Sequence, residues 1–167
     1  VAGSDRPQLE VARVDQGDPL ARPLLAELAI EYSTRYGGTA DQMYSALSTH
    51  PAEDFAPPHG GLIVLLENGE PVAGGAFRRH DEQTAELKRI WTSASHRRRG
   101  LARRVLTELE SEIAVRNYES IHLTTGWRQP EAVGLYLAAG YTPLFDPVAP
   151  PAEGVPRAFR KTTRPTN

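Results

Sequence analysis

The stretch TAELKRIWTSASHRRRGLARRVLTELE (84–110) reads as a strand, a loop and a helix, and its junction carries an unusual charge. Five of the eight residues at 97–104 are arginine: Arg97, Arg98, Arg99, Arg103 and Arg104. A helix N-terminus is already partly positive, so cations there are locally unfavourable. The helix itself is well founded. Leu101, Val105, Leu109 and Ile113 step by four, with Ala102 and Leu106 beside them, and make one apolar stripe over a helix from about Gly100 to Asn117. Small residues at Gly100 and Ala102 leave the free N–H groups of the first turn open to a ligand. Those donors, the dipole and the arginines together suit an anion, phosphate best. Two other readings compete: a solvated charge run at a helix end, and a nucleic-acid patch, which lacks interleaved aromatics and an overall basic charge.

Upstream of the loop, strict alternation fails. Leu87 and Ile90 are both apolar but stand three apart, so a strand that buries both must shift phase between them. A β-bulge does this, and bulges re-aim side chains and leave ladder groups unpaired.

Working outward, the chain mixes both periods. Residues 9–15 alternate as a strand, and 18–37 fit a helix with Asp18 as cap, Pro19 in the first turn and Gly37-Gly38 at the end. Residues 39–49 form a second helix, 61–80 a hairpin turning at Glu67-Asn68-Gly69-Glu70, and 84–93 a further strand. After the arginine-flanked helix come strand 120–125, helix 130–140, strand 141–145 and a last strand at 157–163. The order β-α-α-β-β-β-α-β-α-β-β means a mixed sheet covered by helices, in the α+β or α/β class. We expect one domain over 9–163, with tails at 1–8 and 164–167.

Bulk composition narrows the function. The chain has 167 residues, a net charge of −2 and no cysteine, which excludes disulfides, thiolate metal sites and thiol nucleophiles. No apolar run is long enough to span a membrane and the first residues do not read as a signal peptide, so a cytoplasmic location and no membrane partner are expected. The histidines at 50, 59, 80, 96 and 122 show no paired metal-ligand spacing, so no metal is expected. There is no Gly-x-Ser-x-Gly elbow.

Arg97-Arg98-Arg99-Gly100-Leu101-Ala102 matches Arg/Gln-x-x-Gly-x-Gly/Ala directly after a strand, and is neither a P-loop nor a Rossmann fingerprint. Here the sequence resembles the GCN5-related N-acetyltransferase (GNAT) family, and the resemblance runs from about 61 to 163. It implies an α+β fold: a mixed, mostly antiparallel twisted sheet with helices on both faces. It also implies acetyl-coenzyme A as acyl donor, its pyrophosphate on Arg97, Arg98, Arg99, Gly100, Leu101, Ala102 and Arg103. By position, the bulged strand at Ile90, Trp91 and Thr92 would pair with the pantetheine arm. Glu86, eleven residues before Arg97, stands where members with a glutamate base carry it; a carboxylate there can deprotonate an amine directly or through water. Tyr136, in QPEAVGLYLAAGY (129–141), stands where relatives carry the tyrosine that protonates the departing thiolate, the Gly140-Tyr141 end fixing the register. Where many relatives have a coenzyme-contacting asparagine, this chain has Gln129.

The resemblance implies an N-acetyltransferase that moves an acetyl group to a primary amine by direct attack, with Glu86 as general base and Tyr136 as general acid. A non-catalytic acyl-coenzyme A sensor of the same fold is the alternative. The acceptor, a small molecule or a peptide amine, has no motif. Glu31, Tyr32, Tyr36, Asp41, Phe77 and Trp127 are candidates for an aromatic and acidic pocket suited to a cation. No nucleic-acid partner is expected, and a homodimer is left open.

Overall fold

The computed structural model describes residues 8–163, so the tails expected at 1–8 and 164–167 lie, apart from Gln8, outside the described residues. In chain order the elements are β1 (Leu9–Arg13), α1 (Arg22–Tyr36), α2 (Ala40–Thr49), β2 (Gly61–Glu67), β3 (Glu70–Arg79), β4 (Thr84–Thr92), α3 (Leu101–Val115), β5 (Ser120–Thr125), α4 (Pro130–Ala138), β6 (Thr142–Pro143) and β7 (Arg157–Thr162). Short 3₁₀ turns lie at Pro19–Ala21, Ala52–Phe55 and Ala94–His96. One sheet carries all seven strands in the order β1-β2-β3-β4-β5-β7-β6. Every pairing is antiparallel except β4 with β5. Among the described residues, no helix is long and apolar enough to cross a membrane.

Local chemistry accounts for most boundaries. The Asp18 carboxylate accepts the Leu20 N–H at 2.8 Å ahead of α1, and Thr39 with Gln42 forms a reciprocal capping box on α2. Asn68 and Gly69 both take positive φ, the backbone that turns a tight hairpin. The strand expected at 141–145 shrinks to Thr142–Pro143. The Tyr141 N–H is spent on the Tyr136 carbonyl at 3.0 Å, closing the helix end, and Pro143 has no N–H to give a ladder.

Both faces of the sheet are covered. On one, the α3 stripe of Leu101, Val105, Leu106, Leu109 and Ile113 packs with Ile63, Phe77, Leu87, Ile121, Leu123 and Phe159, joined by Val133 and Tyr136 of α4. On the other, Leu24, Leu25 and Leu28 of α1 pack with Leu62, Ala76, Trp91 and Phe55. Gly74 and Gly75 in β3 let both layers approach. A side chain at Gly75 would meet Ile90, Leu109 and Val105, and one at Gly74 would meet Leu24 and the Ile63 carbonyl.

The expected bulge is present. Ala76 pairs with Lys88 and Gly74 with Trp91, so Arg89 and Ile90 together oppose the single residue Gly75. Leu87 and Ile90 thereby reach the same core, while Trp91 reaches the other.

A Cβ at Gly74 would lie 2.7 Å from the Ile63 carbonyl oxygen, a backbone atom that cannot rotate away. Gly74→Val is expected to lower stability by about 1–3 kcal/mol, the usual cost of overpacking. A urea midpoint equal to that of the wild type would show that β2 and β3 can shift to absorb it.

Candidate active site

β4 and β5 run parallel and pair only from Thr84 to Glu86 and from Ser120 to His122. Beyond that point they diverge. The backbone groups of 87–92 that face β5 are therefore left without a strand partner, although β4 stays paired to β3 on its other edge. The gap opens into a cleft of about 740 Å³, walled by Leu87–Thr92 on one side and Thr124, Thr125 and Gly126 on the other. Two buried polar atoms on these walls, Trp91 Nε1 and Thr125 Oγ1, have no hydrogen-bond partner.

The end of the cleft is the arginine loop. Gly100 caps α3 with φ +75°, a left-handed conformation that excludes most side chains, and open space surrounds its α-carbon. No side chain caps the helix and no acid lies in its first turn. Arg98 also takes positive φ, 65°, a conformation costing an L-residue about 1–2 kcal/mol.

The five arginines divide. Arg97, Arg98 and Arg103 line the cleft with Gly100, Leu101 and Ala102. Arg103 donates to the Ala138 carbonyl at 2.7 Å and so ties α3 to the end of α4. Arg104 pairs with Glu108 along the helix. Arg99, expected at the pyrophosphate, instead reaches Glu67 at 2.6 Å, a nearer anion at the end of β2, and holds that carboxyl below its usual range. Among the described residues, neither Arg97 nor Arg98 has a carboxylate partner.

Tyr136 lines the cleft from α4. Its ring sits edge-on to Tyr141 and tilted on Phe159. Burial, with Tyr32 nearby as a lesser cause, pushes its phenol well above the ordinary value.

Glu86 is placed differently. It is only 7% exposed. Its carboxylate accepts from Arg78 Nε at 2.8 Å and lies 3.7 Å from Lys88 Nζ. It faces a smaller neighbouring pocket, and Arg78 is the wall shared with the main cleft. The structure therefore does not set Glu86 and Tyr136 across one open space.

Of the acceptor candidates, Glu31, Tyr32 and Tyr36 line the cleft. Asp41 does not, and two more need correction. Phe77 is fully buried under α3, with the Arg116 guanidinium 5.3 Å from its ring centre, because β3 alternation turns it to the core. Trp127 lies outside the cleft, edge-on to Tyr36 and beneath Arg128. The acidic character also fades: Glu31 and Glu131 both pair with Arg35. Gln129 lines the cleft but spends its amide oxygen on the Gly126 N–H at 2.9 Å. Here the end of α1 is clamped to the β5–α4 loop, Arg35 donating to the Arg128 carbonyl and Arg128 to that of Arg35. Residues not anticipated from sequence are Thr124 and Thr125 on β5 and the cations Arg78, Lys88 and Arg89. Only the phase break at 87–90 signalled the last of these.

The sequence profile of the Acetyltransferase (GNAT) family matches residues 25–141. An uncharacterized N-acetyltransferase of Bacillus subtilis, YsnE, is 42% identical over 59 residues, which span 35% of this chain and 39% of that relative. Among solved structures, an acetyltransferase of the GNAT family from Staphylococcus aureus superposes with a TM-score of 0.73 at 13% identity, over 94% of this chain and all of that one. The PaiA N-acetyltransferase of Thermoplasma acidophilum, in complex with coenzyme A, gives a TM-score of 0.72 at 11% identity, over 93% and 99%. At these identities the likeness is one of fold.

Tyr32 reports directly on the cleft. Burial, with the Glu31 carboxylate beside it, pushes its phenol up to about 12. The unfolded phenol ionises near 10, so this group's contribution to stability is complete below pH 10 and is lost as pH rises through 12. The wild-type minus Tyr32→Phe ultraviolet titration should show phenolate only near the upper end of that window. A difference signal centred at 10 would mean that the cleft around Tyr32 is wet.

Proposed function

The chain belongs to the Acetyltransferase (GNAT) family, and we propose that residues 9–163 form one acyltransferase domain that moves an acetyl group from acetyl-coenzyme A to a primary amine by direct attack. The observation that carries this reading is the interrupted sheet. β4 offers unpaired backbone over 87–92 beside β5, a strand edge that amide groups of a pantetheine arm can complete.

The residues present fit the coenzyme. Arg97 and Arg98, unpaired, and the first-turn N–H groups of α3 suit a diphosphate, to which guanidinium makes bidentate, charge-assisted bonds. Main-chain donors at 90–92, on the cleft wall, would polarise the acyl carbonyl. Acetyl-coenzyme A would supply the activated acyl group as a thioester. Tyr136 holds its proton for the sulfur as the carbon–sulfur bond breaks. Glu86 receives the proton leaving the amine, and its seat behind Arg78 makes a water the carrier. Arg78 and Lys88 assist this step, because neighbouring positive charge disfavours the ammonium form of a bound amine.

Tyr136→Phe keeps the ring packed and removes only the hydroxyl. With an acceptor found by thiol release, the variant should bind acetyl-coenzyme A normally and lose roughly 10²–10⁴-fold in turnover, the range of acid–base assistance. Full activity in a folded variant would remove Tyr136 from the chemistry. A wild-type protein that binds acetyl-coenzyme A but releases no thiol with any amine would instead favour the sensor.

Glu86→Gln keeps the side-chain shape and the Arg78 contact but removes the proton acceptor. Turnover should fall most at neutral pH and recover in part at high pH, where the amine is already free. A pH–rate profile that overlays the wild type would make Glu86 a partner of Arg78 and Lys88 alone.

A further inference from the structure

We infer that the acceptor amine also carries a carboxylate, and that Arg89 is the residue that binds it; this rests on the acyltransferase reading above. Arg89 is 8% exposed yet lines the cleft. Its Nη1 donates to Gln16 Oε1 at 2.8 Å and its Nη2 to the Leu47 carbonyl at 2.9 Å, with the guanidinium 4.5 Å over the Phe55 ring. These partners are dipoles and a π face. Among the described residues no carboxylate lies within salt-bridge distance of it. A guanidinium has five N–H donors, and two are engaged here. A buried cation without a counter-ion is costly, and structures keep one where something anionic arrives.

The backbone supports the same conclusion. The non-glycine residues with positive φ among those described are Asn68, Arg89, Arg98 and Asn117. Asparagine adopts this conformation readily at turns and helix ends, whereas arginine does so at a cost. Both strained arginines line the cleft, one in the loop assigned to the diphosphate and the other in the bulge. Strain of this kind collects at functional positions. Without the bulge, alternation would turn residue 89 toward α3 along with Leu87. With it, Arg89 is aimed at the wall formed by α2 and the turn Ala52–Phe55.

The charges around it leave that position for the ligand. Arg78 and Lys88 share Glu86, and Arg78 also lies 3.9 Å from Asp54, which pairs with His50. On α1, Glu31 pairs with Arg35, and Tyr32 is held protonated at neutral pH. Among the described residues, Arg89 is thus the cation at this end of the cleft that has no carboxylate of its own. An amine bearing a carboxylate, such as an amino acid, fits it better than a polyamine does.

The competing role for Arg89 is purely structural: holding the C-terminal end of α2 to β4 through the Leu47 carbonyl. The test uses amino acids paired with their carboxamides, acetyl-coenzyme A as donor and free thiol as readout. The wild type should favour the carboxylate member by roughly 10²-fold in kcat/KM, carried mostly by KM. Arg89→Gln should bring that ratio close to one, and Arg89→Lys should restore part of it, with folding checked by thermal melting. Equal turnover of acid and amide by the wild type overturns the proposal and leaves the acyltransferase reading intact; this arm needs no variant. An Arg89→Gln protein that loses both acceptors in proportion would assign Arg89 to the structural role. No thiol release with any member of the panel, despite acetyl-coenzyme A binding, would overturn the proposal; silence toward every other amine class as well would overturn the acyltransferase reading.

Discussion

The parallel ladder between β4 and β5 holds for three residues on each strand and then stops. The cleft depends on that stop. A continuous ladder would spend the edge of β4 on β5 and fill the gap with side chains. The divergence leaves backbone donors and acceptors exposed in a partly apolar slot, an arrangement that is costly without a ligand and useful with one. Elsewhere the sheet is ordinary. β4 stays paired to β3 along its length, α3 and α1 cover the two faces, and reciprocal bonds between Arg35 and Arg128 tie the two halves where the strands have separated.

Charge is arranged with the same economy. Several cations in and around the cleft have a carboxylate partner within the protein: Arg78 and Lys88 on Glu86, Arg99 on Glu67, Arg35 on Glu31 and Glu131. Arg97, Arg98, Arg103 and Arg89 line the cleft and, among the described residues, have no carboxylate partner; Arg103 is held by the Ala138 carbonyl instead. Two of the four, Arg89 and Arg98, also sit in left-handed backbone. Burial pushes the phenols of Tyr136 and Tyr32, both on the cleft wall, further from ionising.

Much of this was legible in the chain. The step-of-four stripe from Leu101 to Ile113 gave α3, and its four members and Leu106 are buried as expected. The three-residue gap between Leu87 and Ile90 marked the bulge, because alternation allows only even spacings on one face. Arg97-Arg98-Arg99-Gly100 marked the loop whose Arg97, Arg98 and Gly100 line the cleft. What went astray depended on a neighbour distant in sequence. Arg99 looks equivalent to Arg97 until Glu67 is folded beside it. Phe77 looks like an aromatic available to a ligand until the α3 stripe closes over it, and Glu31 looks like a free acid until Arg35 reaches it.

Periodicity and cap chemistry act within a few residues, so the sequence by itself determined the elements, the phase break and the arginine-rich loop at the start of α3. The parting of β4 from β5, the seat of Glu86 behind Arg78 and the lack of a counter-ion at Arg89 are matters of tertiary structure. Each is set by contacts between residues tens of positions apart, and the partner of a charge is chosen by which chains the fold brings within reach. Arg89 shows the division: its position in the bulge follows from Leu87 and Ile90, but its empty donors exist only because Gln16, Leu47 and Phe55 surround it and no acid does.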